Sequence, residues 1–156
     1  MKKALALLTV GMTLGFAGQA AAAEKPEVDP SITDGTAVRE FNQARSLWRD
    51  SGVVSYRMKV SRSCYCVSPH QAVVTVRLGK VARVSAKGWI GPRTVPAMFR
   101  VIGQAIKSKV ATLDVSYHPR LGFAKRTSID YIAMAIDDEI GYRITGFKRL
   151  PAVVVN

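Results

Sequence analysis

Tyr56-Arg57-Met58-Lys59-Val60-Ser61 decides the fold. Apolar and polar residues alternate with period two, the pattern of a strand with one face on a core and one in water. Val74, Val76 and Leu78 continue the alternation on a second strand. Gly79-Lys80 fits a two-residue hairpin turn with Gly first, and a third strand returns over residues 81–87. Upstream the period changes to that of a helix. Ala37, Phe41, Ala44, Leu47 and Trp48 form a buried stripe on a helix entered near Thr36, with Asp34 as an alternative cap, and left at Gly52. Residues 24–33 carry Pro26 and Pro30 among acids and read as a flexible arm.

Downstream, residues 88–94 with Gly91-Pro92 form a loop. A second helix begins near Thr94, with Val95, Met98, Phe99, Ile102, Ala105 and Ile106 on its apolar face. Pro96 fits its first turn, where a missing N–H has no partner to lose. Three more strands follow at residues 113–117, 126–131 and 140–147, the first two joined by a turn from His118 to Gly122. The order is α-βββ-α-βββ, which hints at a pseudo-duplication. Strands in runs, joined by short turns, imply an α+β fold: an antiparallel sheet of about six strands with two helices on one face. Residues 34–150 are expected to be a single domain and 151–156 an apolar tail too short to span a membrane.

The first 23 residues read as a secretory leader. Lys2 and Lys3 precede an uncharged apolar run, and Ala21-Ala22-Ala23 precedes Glu24. The expected mature protein is periplasmic or secreted, cleaved near Ala23, with no transmembrane segment. In an oxidising compartment Cys64 and Cys66, the only cysteines, default to a disulfide. Extended i and i+2 Cα atoms lie about 6.5–7 Å apart, at the upper edge of the bridging range, so the chain must bend at Tyr65. A redox-active pair is the alternative. A metal-binding dithiol lacks further ligands, since His70 and His118 are the only histidines.

The formal charge of the chain is +12, unevenly spread. Between Ser51 and Leu113 eleven Lys and Arg residues stand with no Asp or Glu. The alternation puts Arg57, Lys59, Arg77, Arg83 and Lys87 on the open sheet face. An anionic envelope component or an acidic protein is the partner this predicts, and export argues against nucleic acid. Asp137-Asp138-Glu139, with Asp130, is the only acidic cluster. Such carboxylates could hold Ca²⁺, but they lack the alternating ligands of a calcium loop, and capping turn N–H groups or pairing with Arg126 or Arg143 is the plainer role. Trp89 lies in a Gly-rich loop between Lys87 and Arg93, either at an interface or packed over the sheet edge. No nucleophile with a positioned base, phosphate loop or zinc spacing is present, which favours a non-enzymatic binding or accessory role without a cofactor.

The run Thr94-Val95, Met98-Phe99, Ile102, Val115-Ser116-Tyr117-His118-Pro119, Leu121-Gly122-Phe123, Ile129-Asp130-Tyr131, Asp137-Asp138-Glu139 and Tyr142 resembles the bacterial exported family catalogued as Domain of Unknown Function 6174. Trp48, Tyr56, Cys64-Tyr65-Cys66 and Gly79-Lys80-Val81 fit the same family in the same order. The resemblance implies export, a compact domain and the cysteine pair, and it supplies no catalytic residue. The chain departs from the family's pattern at His118, where an Asp is usual, and at Ala124, where a Pro is usual.

Overall fold

A computed structural model describes residues 27–135 and 137–151. The expected leader, the first residues of the arm and the tail after Pro151 lie outside the described residues. The elements are α1 (Pro30–Thr33), α2 (Thr36–Asp50), β1 (Tyr56–Cys64), β2 (Gln71–Arg77), β3 (Lys80–Val84), α3 (Val95–Ser108), β4 (Thr112–Tyr117), β5 (Ala124–Asp130) and β6 (Ile140–Arg149). The strands form one six-stranded sheet in the order β3-β2-β1-β6-β5-β4, every neighbouring pair antiparallel. The fold is α+β. No helix of the described residues is long and apolar enough to cross a membrane.

The alternation in β1 is met strictly at its start: Tyr56, Met58 and Val60 are buried, Arg57 and Lys59 exposed. Ala72, Val74 and Val76 of β2 and Tyr142 and Ile144 of β6 complete the inner face. Ala44 of α2 and Val95, Met98, Phe99 and Ile102 of α3 close on it in one cluster. Each fully buried Val or Met contributes about 1.5–3 kcal/mol relative to an exposed one. An aromatic chain ties α2 to the far strands. Trp48 meets Tyr56 edge-on at 5.4 Å, Tyr56 stacks on Phe147 at 5.3 Å, and Phe147 on Phe123 at 4.6 Å. The start of α3 is fixed twice, by Thr94 Oγ1 accepting the Ala97 N–H at 3.0 Å and by the Tyr56 hydroxyl accepting the Val95 N–H at 2.9 Å. Burial pushes the Tyr56 hydroxyl up from its ordinary pKa, against the lowering effect of that hydrogen bond.

Four expectations need correction. Residues 29–33 are not a loose arm: Asp29 accepts from the Ser31 N–H (2.8 Å) and the Leu113 N–H (2.7 Å), pinning α1 to β4 as a third helix. The β2–β3 turn is Leu78-Gly79, both at positive φ, because Arg77 pairs with Lys80. β3 ends at Val84, so Lys87 falls in the following loop rather than on the sheet. Of the two places expected for Trp89, the packed one holds: it is 1% exposed and its Nε1 donates to the Pro92 carbonyl at 3.3 Å. The repeating element order is not a simple translational repeat either. Shifting three places along an antiparallel sheet inverts strand direction, so β1 cannot be carried onto β4 in the same sense.

A candidate anion-binding face

Strand register assigns each charged side chain to a face, because directly paired residues share one. Arg83 pairs with Thr75, Thr75 with Arg57, and Arg57 with Lys148, a row across four strands. Arg77 pairs with Lys80 at one end of the sheet. Towards the other end Ser61 pairs with Arg143, Arg143 with Arg126, and Arg126 with Ser116. Of the expected residues, Arg57, Lys59, Arg77 and Arg83 therefore lie on the open face, and Lys87 does not belong to the ladder. Lys80, Arg126, Arg143 and Lys148 join them. Arg77 is half-buried, its Nη1 donating to the Pro151 carbonyl at 3.1 Å.

No ion pair compensates the bases of the open face, although Asp114 and Asp130 share it at the sheet's edge through their pairing with Ser128 and Thr112. Among the described residues the only ion pair is Arg49–Asp50 at 3.5 Å, on α2, with both side chains exposed. Arg126 and Arg143 stand directly opposite one another on adjacent strands, an arrangement that repels and destabilises a sheet. The expected pairing of the acidic cluster with these arginines does not occur. Arg126 and Arg143 sit inside the strands, whereas Asp137, Asp138 and Glu139 lie in the connection before β6. Asp130 instead accepts the Ile132 N–H at 3.2 Å, a turn-capping contact. The four carboxylates do not gather into a metal-holding group among the described residues.

The floor of the face is not flat. A depression of about 330 Å³ opens over Gly141, which pairs with Ser63 on one side and Ser128 on the other. A second depression of about 270 Å³ adjoins it and shares Ser63, Ser128 and Gly141, with Asp137 and Glu139 on its rim. The helix side bears a groove of about 760 Å³ between α2 and α3, floored by Phe41 and Phe99. There Gly103 and Phe41 are in close contact and the Arg45 guanidinium lies over the Phe41 ring at 5.3 Å, so helix packing accounts for the floor.

Cys64 and Cys66 close the end of β1. The Cys66 N–H donates to the Cys64 carbonyl at 3.0 Å, an i to i+2 turn that bends the chain at Tyr65. That turn brings the Cα atoms to 5.3 Å, inside the bridging range, and the sulfurs are joined. Tyr65 is left 84% exposed. His118 takes a structural place: its Nδ1 accepts the Arg120 and Leu121 N–H groups at 3.2 Å each, and its ring stacks on Phe123. A ring nitrogen thus does at this turn what a carboxylate oxygen would do in an Asp.

Sequence reasoning missed Arg126, Arg143 and Lys148 because charge was summed over whole halves of the chain. Past Leu113 the acids, Asp114 and Asp130 in strands and Asp137, Asp138 and Glu139 in the loop before β6, nearly cancel the bases. The alternation of Arg143 with Tyr142 and Ile144 was the signal that separates them.

Neither the curated proteins nor the solved structures contain a match to this chain. A family model does match, over residues 40–149, which takes in α2 from its second turn and every strand of the sheet. The chain belongs to that family, one of unknown function designated DUF6174.

Proposed function

We propose that this is an exported, non-enzymatic binding or accessory protein whose open sheet face meets an anionic component of the cell envelope. The carrying observation is the face itself: Arg57, Lys59, Arg77, Lys80, Arg83, Arg126, Arg143 and Lys148 share it without an ion pair among the described residues. A basic residue near an anionic membrane surface contributes about 1 kcal/mol, and the attraction fades within a Debye length of about 8 Å at physiological salt. Cosedimentation with anionic vesicles should therefore be strong at low salt, fall steeply as salt rises, and be absent with neutral vesicles. Reversing Arg57, Lys59 and Arg77 together should lower the affinity by at least about two orders of magnitude on that per-residue figure. Binding that ignores salt, or that survives the triple reversal, would sink the reading.

A second reading rests on the exposed turn at the disulfide. Tyr65 and Val67 project around Cys64 and Cys66, an accessible setting that thiol–disulfide exchange requires. A redox titration against glutathione separates the two roles. A potential below about −300 mV, the regime of structural bridges, rules out exchange and is the result expected if the pair only fastens the end of β1.

A further inference from the structure

We propose that the depression over Gly141 is a discrete oxyanion subsite, built for a phosphate- or sulfate-type group of the anionic partner. The inference rests on the reading of the sheet face above and gives it a place and a chemistry. Gly141 is the key. It sits inside β6 between Ser63 and Ser128, and its φ is not in the left-handed region, so the backbone itself does not call for glycine. Glycine inside a strand weakens it and marks a place where another group comes close. A Cβ at this position would run into Ser63 Oγ, so the Ser63 hydroxyl leans over the gap that the missing side chain leaves.

The donors around that gap are those of an anion site. Arg126 and Arg143, paired across β5 and β6, border it together with Ser61, Ser63 and Ser128. The Ser61 hydroxyl donates to the Arg143 carbonyl at 3.4 Å, a long contact readily exchanged for a charged acceptor. Two guanidiniums bring fixed forks of N–H donors, and the serines add hydroxyls. That supply suits a tetrahedral group with three terminal oxygens and nearly two negative charges, and it exceeds what one carboxylate can accept. A bound dianion would also relieve the repulsion between the two arginines, neither of which is held in an ion pair. The carboxylates of Asp137 and Glu139 at the far rim set a direction. The anion lies at the arginine end, and whatever it is attached to on the β6 entry side is not a second anion.

The test is an amide-resolved NMR titration of the protein with inorganic phosphate at about 0.15 M salt, where diffuse charge effects are screened. Saturable shifts at Ser63, Ser128, Gly141 and Arg143 are expected. The double variant Arg126→Gln/Arg143→Gln should weaken them by at least about tenfold, given that hydrogen bonds to charged groups are among the strong ones. Gly141→Ala paired with Ser63→Ala fills the gap without the collision and should abolish saturation while the spectrum stays dispersed. A folded Gly141→Ala/Ser63→Ala protein that binds phosphate as tightly as the parent overturns the subsite, as does a linear, unsaturable response of the parent. The Arg57, Lys59 and Arg77 reversal, one to three rows away, should leave the phosphate titration in place while vesicle binding fails. In the parent protein, absence of phosphate saturation with vesicle binding present rejects the subsite alone, and phosphate saturation without vesicle binding rejects the wider face. Glycerol phosphate competing the protein off phosphatidic-acid vesicles would identify a lipid headgroup as the source of the anion, and failure to compete would identify free phosphate.

Discussion

Asp29 shows how one side chain decides where a chain begins to be ordered. Its Oδ1 accepts the Ser31 N–H and hydroxyl, its Oδ2 accepts the Leu113 N–H, and its own N–H donates to the Val110 carbonyl at 2.9 Å. Burial alone would raise the pKa of this carboxyl. The hydrogen bonds from Ser31 and Leu113 outweigh burial and hold it below the ordinary carboxylate value. A group with a lowered folded pKa stabilises the protein above its unfolded pKa, about 3.9, and that contribution is lost as pH falls towards and through the folded value. Acid titration followed by hydrogen exchange at Ser31 and Leu113 should show α1 detaching from β4 in that window. Asp29→Ala should free the turn at all pH values at a cost of about 1–2 kcal/mol, the range for lost helix caps. Proline and acid content made this stretch look loose, since composition carries no information about a hydrogen bond spanning 84 residues. Leu78 was illegible for a related reason. Leu seldom takes positive φ, yet pairing of Arg77 with Lys80 forces it there, and only the register reveals that.

The elements themselves were legible where burial is one-sided. β1, β2 and α3 show clean periodicities because each has one face on the core and one in water, and the residues the periods pick out are buried except Leu78, which falls in the turn, and Ile106, which is half-buried. Strand order was not legible: nothing local in β1 says that β6, rather than β4, lies beside it. What fastens the β4–β5 turn to α2 was hidden as well. Gly122 has φ +73, and a Cβ there would run into the backbone carbonyl of Ala44, so the turn and the helix touch backbone to backbone. Gly122→Ala meets two penalties, a strained conformation and a collision with an atom that cannot move aside. Denaturant unfolding should show a loss of about 2–4 kcal/mol, the larger end for a single substitution. Gly79→Ala, where nothing lies within 4 Å of the added methyl, should cost clearly less. Equal costs at the two sites would mean that φ alone matters and that the approach of the turn to Ala44 does not.

At the scale of the whole molecule, the basic face sets stability against binding. A chain of formal charge +12 with one surface ion pair among the described residues is strained by its own repulsion, most sharply where Arg126 faces Arg143. Screening should relieve it, so the thermal midpoint should rise by a few degrees from low salt to about 0.2 M sodium chloride. Phosphate at matched ionic strength should raise it further, because a ligand bound only to the folded state stabilises by RT ln(1 + [L]/Kd), about 1.4 kcal/mol at ten times Kd. Arg126→Gln/Arg143→Gln should then act in two directions at once. The variant should melt higher than the parent at low salt, having lost the repulsion, and should gain nothing from phosphate beyond the effect of ionic strength. Those opposite signs come from one cause, two positive charges held together for something outside the protein. A variant that melts lower at low salt would mean instead that the arginines are retained for contacts within the fold.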